Sequence, residues 1–231
     1  MGNIWRKILI ACMVAVVFTV LQVVAMRFIN PPRTMVMLLR SFEAWQHNET
    51  HYQLRYRWCD DVAMAPSIAR SLIAAEDQHF MDHHGFDIQA ISRAQQHNAH
   101  AKVLWGASTI SQQVAKNVFL WQGRSWIRKG LEAWYTVWIE LLWSKRRILE
   151  VYANVAEFGQ GIYGVQAAAN QFWQQDAATL SSQQAALLAA VLPAPGRLSA
   201  SHPSRFVWRR AAWIEQQARR LGRSQVPLRG Y

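Results

Sequence analysis

The first clear pattern in the chain is a run from Ile8 to Met26 that is apolar apart from Thr19 and Gln22. These nineteen residues, preceded by Arg6 and Lys7, are long enough as a helix to span the hydrocarbon core of a bilayer. Val23-Val24-Ala25 offers small residues for cleavage, but the run exceeds a usual signal-peptide core, so it is predicted to be an uncleaved anchor. Arg27, Arg33 and Arg40 follow the span and blunt the positive-inside signal, so charge alone does not orient it. Pro31-Pro32 ends the span, and residues 27–54, where Met35 to Trp45 shows no strong periodicity, are expected to form a linker or juxtamembrane segment.

Beyond that segment the hydrophobic spacing is helical. Ile68, Leu72 and Ile73 predict a helix over Pro66 to Glu76 with Ser67 as its N-cap. Residues 108–120 predict a helix opening at Ser108-Thr109, with Ile110, Val114 and Val118 on one stripe and Gln112 and Lys116 on another face. Leu131, Trp134, Tyr135, Trp138, Leu141 and Leu142 predict a longer helix from about Ser125 to Trp143. Further helices are expected at 145–155, 162–173, 181–191 and 203–221, with Leu192-Pro193-Ala194-Pro195-Gly196 as punctuation before the last. No segment alternates as a strand does. The pattern supports a mostly α fold: a tip and membrane helix at 1–26, the linker at 27–54 and one domain at 55–231.

Composition narrows the partners only slightly. A chain of 231 residues with 52% hydrophobic content has room for one core and an anchor, and a second enzymatic domain does not fit. The net charge of +11, from 25 basic and 14 acidic residues, favours phosphates or an anionic lipid surface. The cations follow no nucleic-acid reading motif, so no nucleic-acid partner is expected. Cys12 lies inside the apolar run and Cys59 beyond it, so no internal disulfide is expected, and no ligand spacing suggests a metal cluster.

Chemistry concentrates in three polar blocks. The first runs Glu76-Asp77-Gln78-His79-Phe80-Met81-Asp82-His83-His84-Gly85-Phe86-Asp87. The second is Gly106-Ala107-Ser108-Thr109-Ile110-Ser111-Gln112-Gln113-Val114-Ala115-Lys116-Asn117, and the third is Arg128-Lys129-Gly130-Leu131-Glu132. Two acids flanking a cationic, amide-rich strip suit glycosyl transfer from a phosphorylated donor: one carboxylate moves a proton while cations hold the leaving phosphate. Glu76 ends its predicted helix, where the negative end of the dipole is expected to raise its pKa toward that of a useful base. Arg128 and Glu132 are four apart, so an ion pair along one helix face is an equally direct reading of that pair.

These blocks resemble the family 51 glycosyltransferases, the peptidoglycan glycosyltransferases that polymerise lipid II. As patterns they read E-D-x-x-F-x-x-H-x-G-x-D, G-x-S-T-I-x-Q-Q-x-x-K-N and R-K-x-x-E. Lys145-Arg146-Arg147-Ile148-Leu149-Glu150-Val151-Tyr152-Ala153-Asn154 is similar to the fourth motif, and Gly161-Ile162-Tyr163-Gly164 with Ala167-Ala168-Ala169 to the fifth. The resemblance covers roughly residues 55–215, and with no transpeptidase-length segment it is that of the monofunctional form. Two positions depart from the pattern: Gln171-Phe172-Trp173-Gln174 stands where Tyr-Phe-Gly is usual, and Gln184 where an acid is frequent.

The resemblance implies a lysozyme-like, two-lobed helical domain outside the bacterial inner membrane, in the periplasm. It implies Glu76 as the base that takes the proton from the acceptor sugar's 4-hydroxyl, and Glu132 as a second, supporting acid acting indirectly or through a divalent ion. Asp77, Phe80, His83, Ser108, Thr109, Gln112, Gln113, Lys116, Asn117, Arg124, Arg128 and Lys129 are the candidate substrate-binding residues, with Lys116, Arg124 and Arg128 toward the diphosphate. The implied partners are lipid II, the undecaprenyl-diphosphate-linked glycan, membrane lipid and proteins of division or wall synthesis. No cofactor is required, and magnesium or manganese is allowed. Trp105, Phe119, Trp121 and Trp126 are expected either to pack in the core or to form a lip facing the membrane. The arginines between Arg205 and Arg229 suit anionic headgroups or a solvated face. A murein hydrolase and a non-catalytic assembly protein remain the rival functions, and Lys116 with Arg124 argues against the first.

Overall fold

The computed structural model describes residues 2–101, 105–123, 125–222 and 225–227. Arg124, Met1 and Arg229 therefore lie outside the described residues. In chain order the elements are α1 (Gly2–Phe28), α2 (Met35–Gln46), β1 (Arg55–Tyr56), α3 (Pro66–Glu76), α4 (Ile88–Asn98), α5 (Ile110–Phe119) and α6 (Trp126–Leu142). There follow α7 (Lys145–Val155), β2 (Glu157–Gly159), β3 (Ile162–Tyr163), α8 (Val165–Trp173), α9 (Ser182–Val191) and α10 (Arg205–Arg220). One helical group is α3, α9 and α10; in another, α5 packs on α6 and α2, and α6 on α1; α7 contacts both α5 and α3. Seven residues of α7, from Ile148 to Val155, are buried, which makes it the core element between the groups.

At about 1.5 Å per residue, α1 is roughly 40 Å long and exceeds a bilayer core. Its last turns are tied to the domain through the two polar residues that interrupt the apolar run. Trp134 donates to Thr19 Oγ1 at 3.1 Å and Tyr135 to Gln22 Oε1 at 2.8 Å, while Trp143 donates to the Val23 carbonyl at 2.8 Å. Arg147 then caps the C-terminal end, donating to Met26 O at 2.9 Å and Ile29 O at 3.0 Å. A protein beginning at Arg33 loses all five of these bonds and should be less stable by about 5 kcal/mol, at roughly 1 kcal/mol per bond, and melt lower. Thermal unfolding of the two lengths in detergent checks this.

The expected linker contains a full helix. Thr34 caps α2 by accepting from the Met37 amide, and Val36, Met37 and Ala44 are buried. The helix escaped the periodicity because Met35, Leu38, Phe42 and Trp45 on its outer side are apolar and exposed, which removes the contrast a helical pattern depends on. The helix α4 was likewise unexpected; Asp87 caps it by accepting from Ala90.

Other boundaries differ for local reasons. Ser67 is not the N-cap of α3: Ala65 holds that position, Pro66 opens the helix, and the Ser67 hydroxyl donates to Leu180 O. Residues 162–163 are strand, and α8 starts only after Gly164. The three strands form a sheet in the order β1-β3-β2, parallel for β1 with β3 and antiparallel for β2 with β3. At two or three residues each they are too short to display alternation. Cys12 is exposed and Cys59 buried, and both are free thiols.

Two residues in and beside the departures from the family pattern have local roles in the fold. Gln174 caps α8 in the left-handed conformation, φ +55, the geometry in which glycine carries no Cβ penalty. Gln174→Gly should therefore stabilise the protein by about 1 kcal/mol, read as a higher melting temperature. Gln184 completes a capping box with Ser181 at the start of α9, a role glutamine fills as well as glutamate.

Candidate active site

The site is assembled where α3 ends and α5 begins. Asp77, buried immediately after α3, joins the two: its carboxylate accepts from the Ile110 amide at 3.0 Å and pairs with His83 Nε2 at 2.9 Å. Thr109 caps α5 in a reciprocal box with Gln112, and its hydroxyl donates to Gly85 O at 2.7 Å. Gly85 sits at φ +89, and a Cβ there would stand 2.7 Å from Thr136, so the first motif needs glycine at this turn. Phe80 is fully buried, with the Lys145 ammonium 4.5 Å from its ring centroid. Asp77, Phe80, His83, Thr109 and Gln112 thus direct their side chains into the frame that fixes Glu76 and α5.

Glu76 itself keeps 15% of its side-chain surface exposed. Its Oε2 accepts from Gln113 Nε2 at 2.8 Å, and Gln113 Oε1 in turn accepts from the Tyr152 hydroxyl at 3.2 Å, which fixes the amide orientation. Burial is the main cause that raises the Glu76 pKa, with Asp77 adding to it; Gln113, Arg210 and Lys116 oppose the rise without cancelling it. The direction expected from the sequence holds, with desolvation as its main cause.

Two chambers open on either side of this pair. One, of about 450 Å³, is lined by Gln113, Lys116, Asn117, Tyr152 and the Leu192–Gly196 turn, together with Val36 and Arg40 of α2. The other, of about 410 Å³, is lined by Glu76, His79, Ser108, Thr109, Trp105 and Trp213. Glu76 faces the second and Gln113 the first, so their hydrogen bond links the two.

The cations gather on the α5–α6 side. Glu132 is buried and held by Arg128 at 2.7 Å and by Lys129, whose ammonium also reaches toward Ser108 Oγ at 3.5 Å. Arg128 donates its Nε to Gly123 O at 2.8 Å. Glu132 therefore sets the position of two cations, and the ion pair read from the spacing is present. Glu132→Ala leaves Arg128 buried and unpaired and should cost about 3–5 kcal/mol; Glu132→Gln, which keeps an acceptor, should cost less, both read by thermal melting. Lys116 feels Glu132, Arg128, Glu76 and Lys129 at once, and burial pushes its pKa down. Among the described residues it forms no ion pair and keeps its ammonium available to a ligand.

The aromatic residues of this region divide. Phe119 stacks on Tyr135 with centroids 4.5 Å apart, whereas Trp105, Trp121 and Trp126 are exposed, Trp126 at 92%. Arg210 and Trp213 of α10 belong to the site and were missed; the only signal in the sequence was an arginine and a tryptophan one helical turn apart. Among the described residues, no three His, Cys, Asp or Glu side chains converge as a metal site.

A sequence family described as Transglycosylase matches residues 44–219, which contain every element from β1 to α9 and all but the last residue of α10. The chain belongs to the transglycosylase family. Its mostly helical architecture, with a single apolar N-terminal helix, is the lysozyme-like fold implied by the motifs. A biosynthetic peptidoglycan transglycosylase of Xylella fastidiosa (strain 9a5c) is 54% identical over 95% of this chain and 90% of its own length. One from Xanthomonas campestris pv. campestris (strain B100) is 58% identical over 94% of this chain and 88% of its own. A third, from Xanthomonas axonopodis pv. citri (strain 306), is 59% identical over 88% and 83%. The matched region includes both acids and the strip between them.

Proposed function

We propose that this transglycosylase is a peptidoglycan glycosyltransferase that extends a lipid-diphosphate-linked glycan on lipid II. The observation that carries the reading is a buried, Gln113-oriented carboxylate that feels the Lys116 ammonium, with the Arg128-Lys129 pair held by Glu132 on the adjoining α6. Glu76 takes the proton from the acceptor 4-hydroxyl as that oxygen bonds to the donor anomeric carbon. The bond from that carbon to the diphosphate breaks, and the lipid diphosphate leaves with the electron pair. Attack opposite an α-linked diphosphate yields the β-1,4 bond with inversion. Lys116, Arg128 and Lys129 stabilise the leaving charge, and the proton on Glu76 returns to solvent. Both Glu132 oxygens are engaged by Arg128 and Lys129, so this carboxylate acts through those cations, and a divalent ion would have to displace them.

Among the described residues, the one helix long and apolar enough to cross a membrane, Asn3–Phe28, serves as anchor in the inner membrane with the domain in the periplasm. Exposed Trp121, Trp126 and Ile127 lie beside the cationic side and suit a membrane-facing lip that receives the lipid tail. Purified protein incubated with labelled lipid II tests the reading. Polymer separable from monomer supports it; fragments released from preformed glycan, without polymer, support a hydrolase and overturn it.

A further inference from the structure

The helix α10 brings two residues to Glu76 that the reaction as described leaves unused. It is seated through Val207, Ala211, Ile214 and Ala218, spaced by three and four, against α3 and α9. Arg210 places Nη2 3.9 Å from Glu76 Oε1, and its Nε is buried without a hydrogen-bond partner among the described residues. Trp213, one turn on, is 45% exposed and lines the same chamber as Glu76. Arg210 and Trp213 also border a depression with Phe206 and Arg209.

The two oxygens of Glu76 are not equivalent. Oε2 already accepts from Gln113, whereas Oε1 faces Arg210 at a distance beyond a hydrogen bond. Oε1 is the oxygen with a lone pair left for an incoming hydroxyl. Lys116 lines the other chamber, so an acceptor beside Trp213 meets Oε1 from the side away from that lysine. A pyranose offers a C–H face that lies well against an indole, and an exposed tryptophan beside a catalytic carboxylate provides that surface.

We propose that α10 is the acceptor wall of the cleft: Arg210 is a positioning residue that holds the Glu76 carboxylate toward the acceptor hydroxyl, and Trp213 is the platform for the acceptor sugar. The proposal rests on Glu76 being the base. The other charged or titratable groups facing Glu76 are Lys116 from α5, Tyr152 from α7 and Asp77 at the end of α3, with His79, Asp87 and, from α4, Arg93 lining the chamber. Of the two cations whose charge opposes the effect of burial on Glu76, removing Arg210 leaves Lys116.

The test is steady-state polymerisation of labelled lipid II between pH 4.5 and 9 by the full-length protein and its Arg210→Gln, Arg210→Met, Arg210→Lys and Trp213→Ala variants, with melting temperatures taken alongside. In Arg210→Gln and Arg210→Met the rising limb of kcat/KM should move up by about one pH unit, and Arg210→Lys should return it toward the original. Trp213→Ala should raise KM for lipid II about tenfold and leave the limb in place. A folded Arg210 variant with an unmoved limb, or failure of both neutral variants to fold, makes Arg210 a structural residue and overturns its role. An unchanged KM in Trp213→Ala overturns the platform. Glu76→Gln run beside them separates the cases: near-normal turnover there overturns the base itself, whereas an inactive Glu76→Gln with an unmoved Arg210→Gln limb overturns the positioning role alone.

Discussion

Glu76→Gln should lower lipid II polymerisation by about 10²–10⁴-fold, the usual contribution of a positioned base, while leaving the fold intact. The amide keeps the carbonyl that accepts from Gln113 and cannot take the hydroxyl proton. The same substitution should raise stability at neutral pH. Burial raises the folded-state pKa of Glu76, so the folded protein binds the proton more tightly than the unfolded chain does. That favourable contribution is fully present below the unfolded value and is lost as pH rises through the folded pKa. At pH 7 the wild type carries the cost of a charged, buried carboxylate and the glutamine variant does not. Melting temperatures should differ at pH 7 and converge as pH falls below the ordinary glutamate range. Equal or lower stability of the variant at pH 7 would mean that Arg210 and Lys116 outweigh burial.

Lys116→Ala should reduce polymerisation by about 10²–10³-fold, the scale of removing one electrostatic contact to the developing charge. Because Lys116 forms no ion pair among the described residues, its loss should leave the melting temperature nearly unchanged, unlike Glu132→Ala. Affinity for a phosphoglycolipid that mimics the donor should fall in parallel with rate. Full retention of both affinity and rate would remove the lysine from the diphosphate site. Glycan hydrolysis needs no diphosphate contact, so a hydrolase should show little dependence on this residue.

Residues whose roles follow from local rules were legible in the sequence. The α6 stripe from Leu131 to Leu142 gave its helix to within a residue, and Ser108-Thr109 marked the start of α5. The first and second motifs gave Glu76, Gln113 and Lys116, which the fold brings together around one cleft. What was hidden depends on tertiary contact. The anchor's two polar residues gain meaning only from Trp134 and Tyr135, more than a hundred residues away. The fourth-motif cations proved to be fasteners: Arg146 pairs with Asp61, and Arg147 closes the end of α1. The helix α2 was invisible because both its faces are apolar, and it contributes Val36 and Arg40 to the Lys116 chamber. Arg210 reaches Glu76 across 134 positions, a separation no spacing rule addresses.

The central claim is that a buried carboxylate at position 76 accepts the acceptor proton during glycan polymerisation. Its most direct test is the pH dependence of kcat/KM for labelled lipid II by the wild-type protein, with Glu76→Gln at the plateau pH as reference. The rate should rise with loss of a single proton at a midpoint above the unperturbed glutamate value of 4.5, because burial holds the proton on Glu76 to higher pH, and Glu76→Gln should be inactive on that scale. A folded Glu76→Gln protein that polymerises lipid II with the same rising limb and a comparable plateau would contradict the claim.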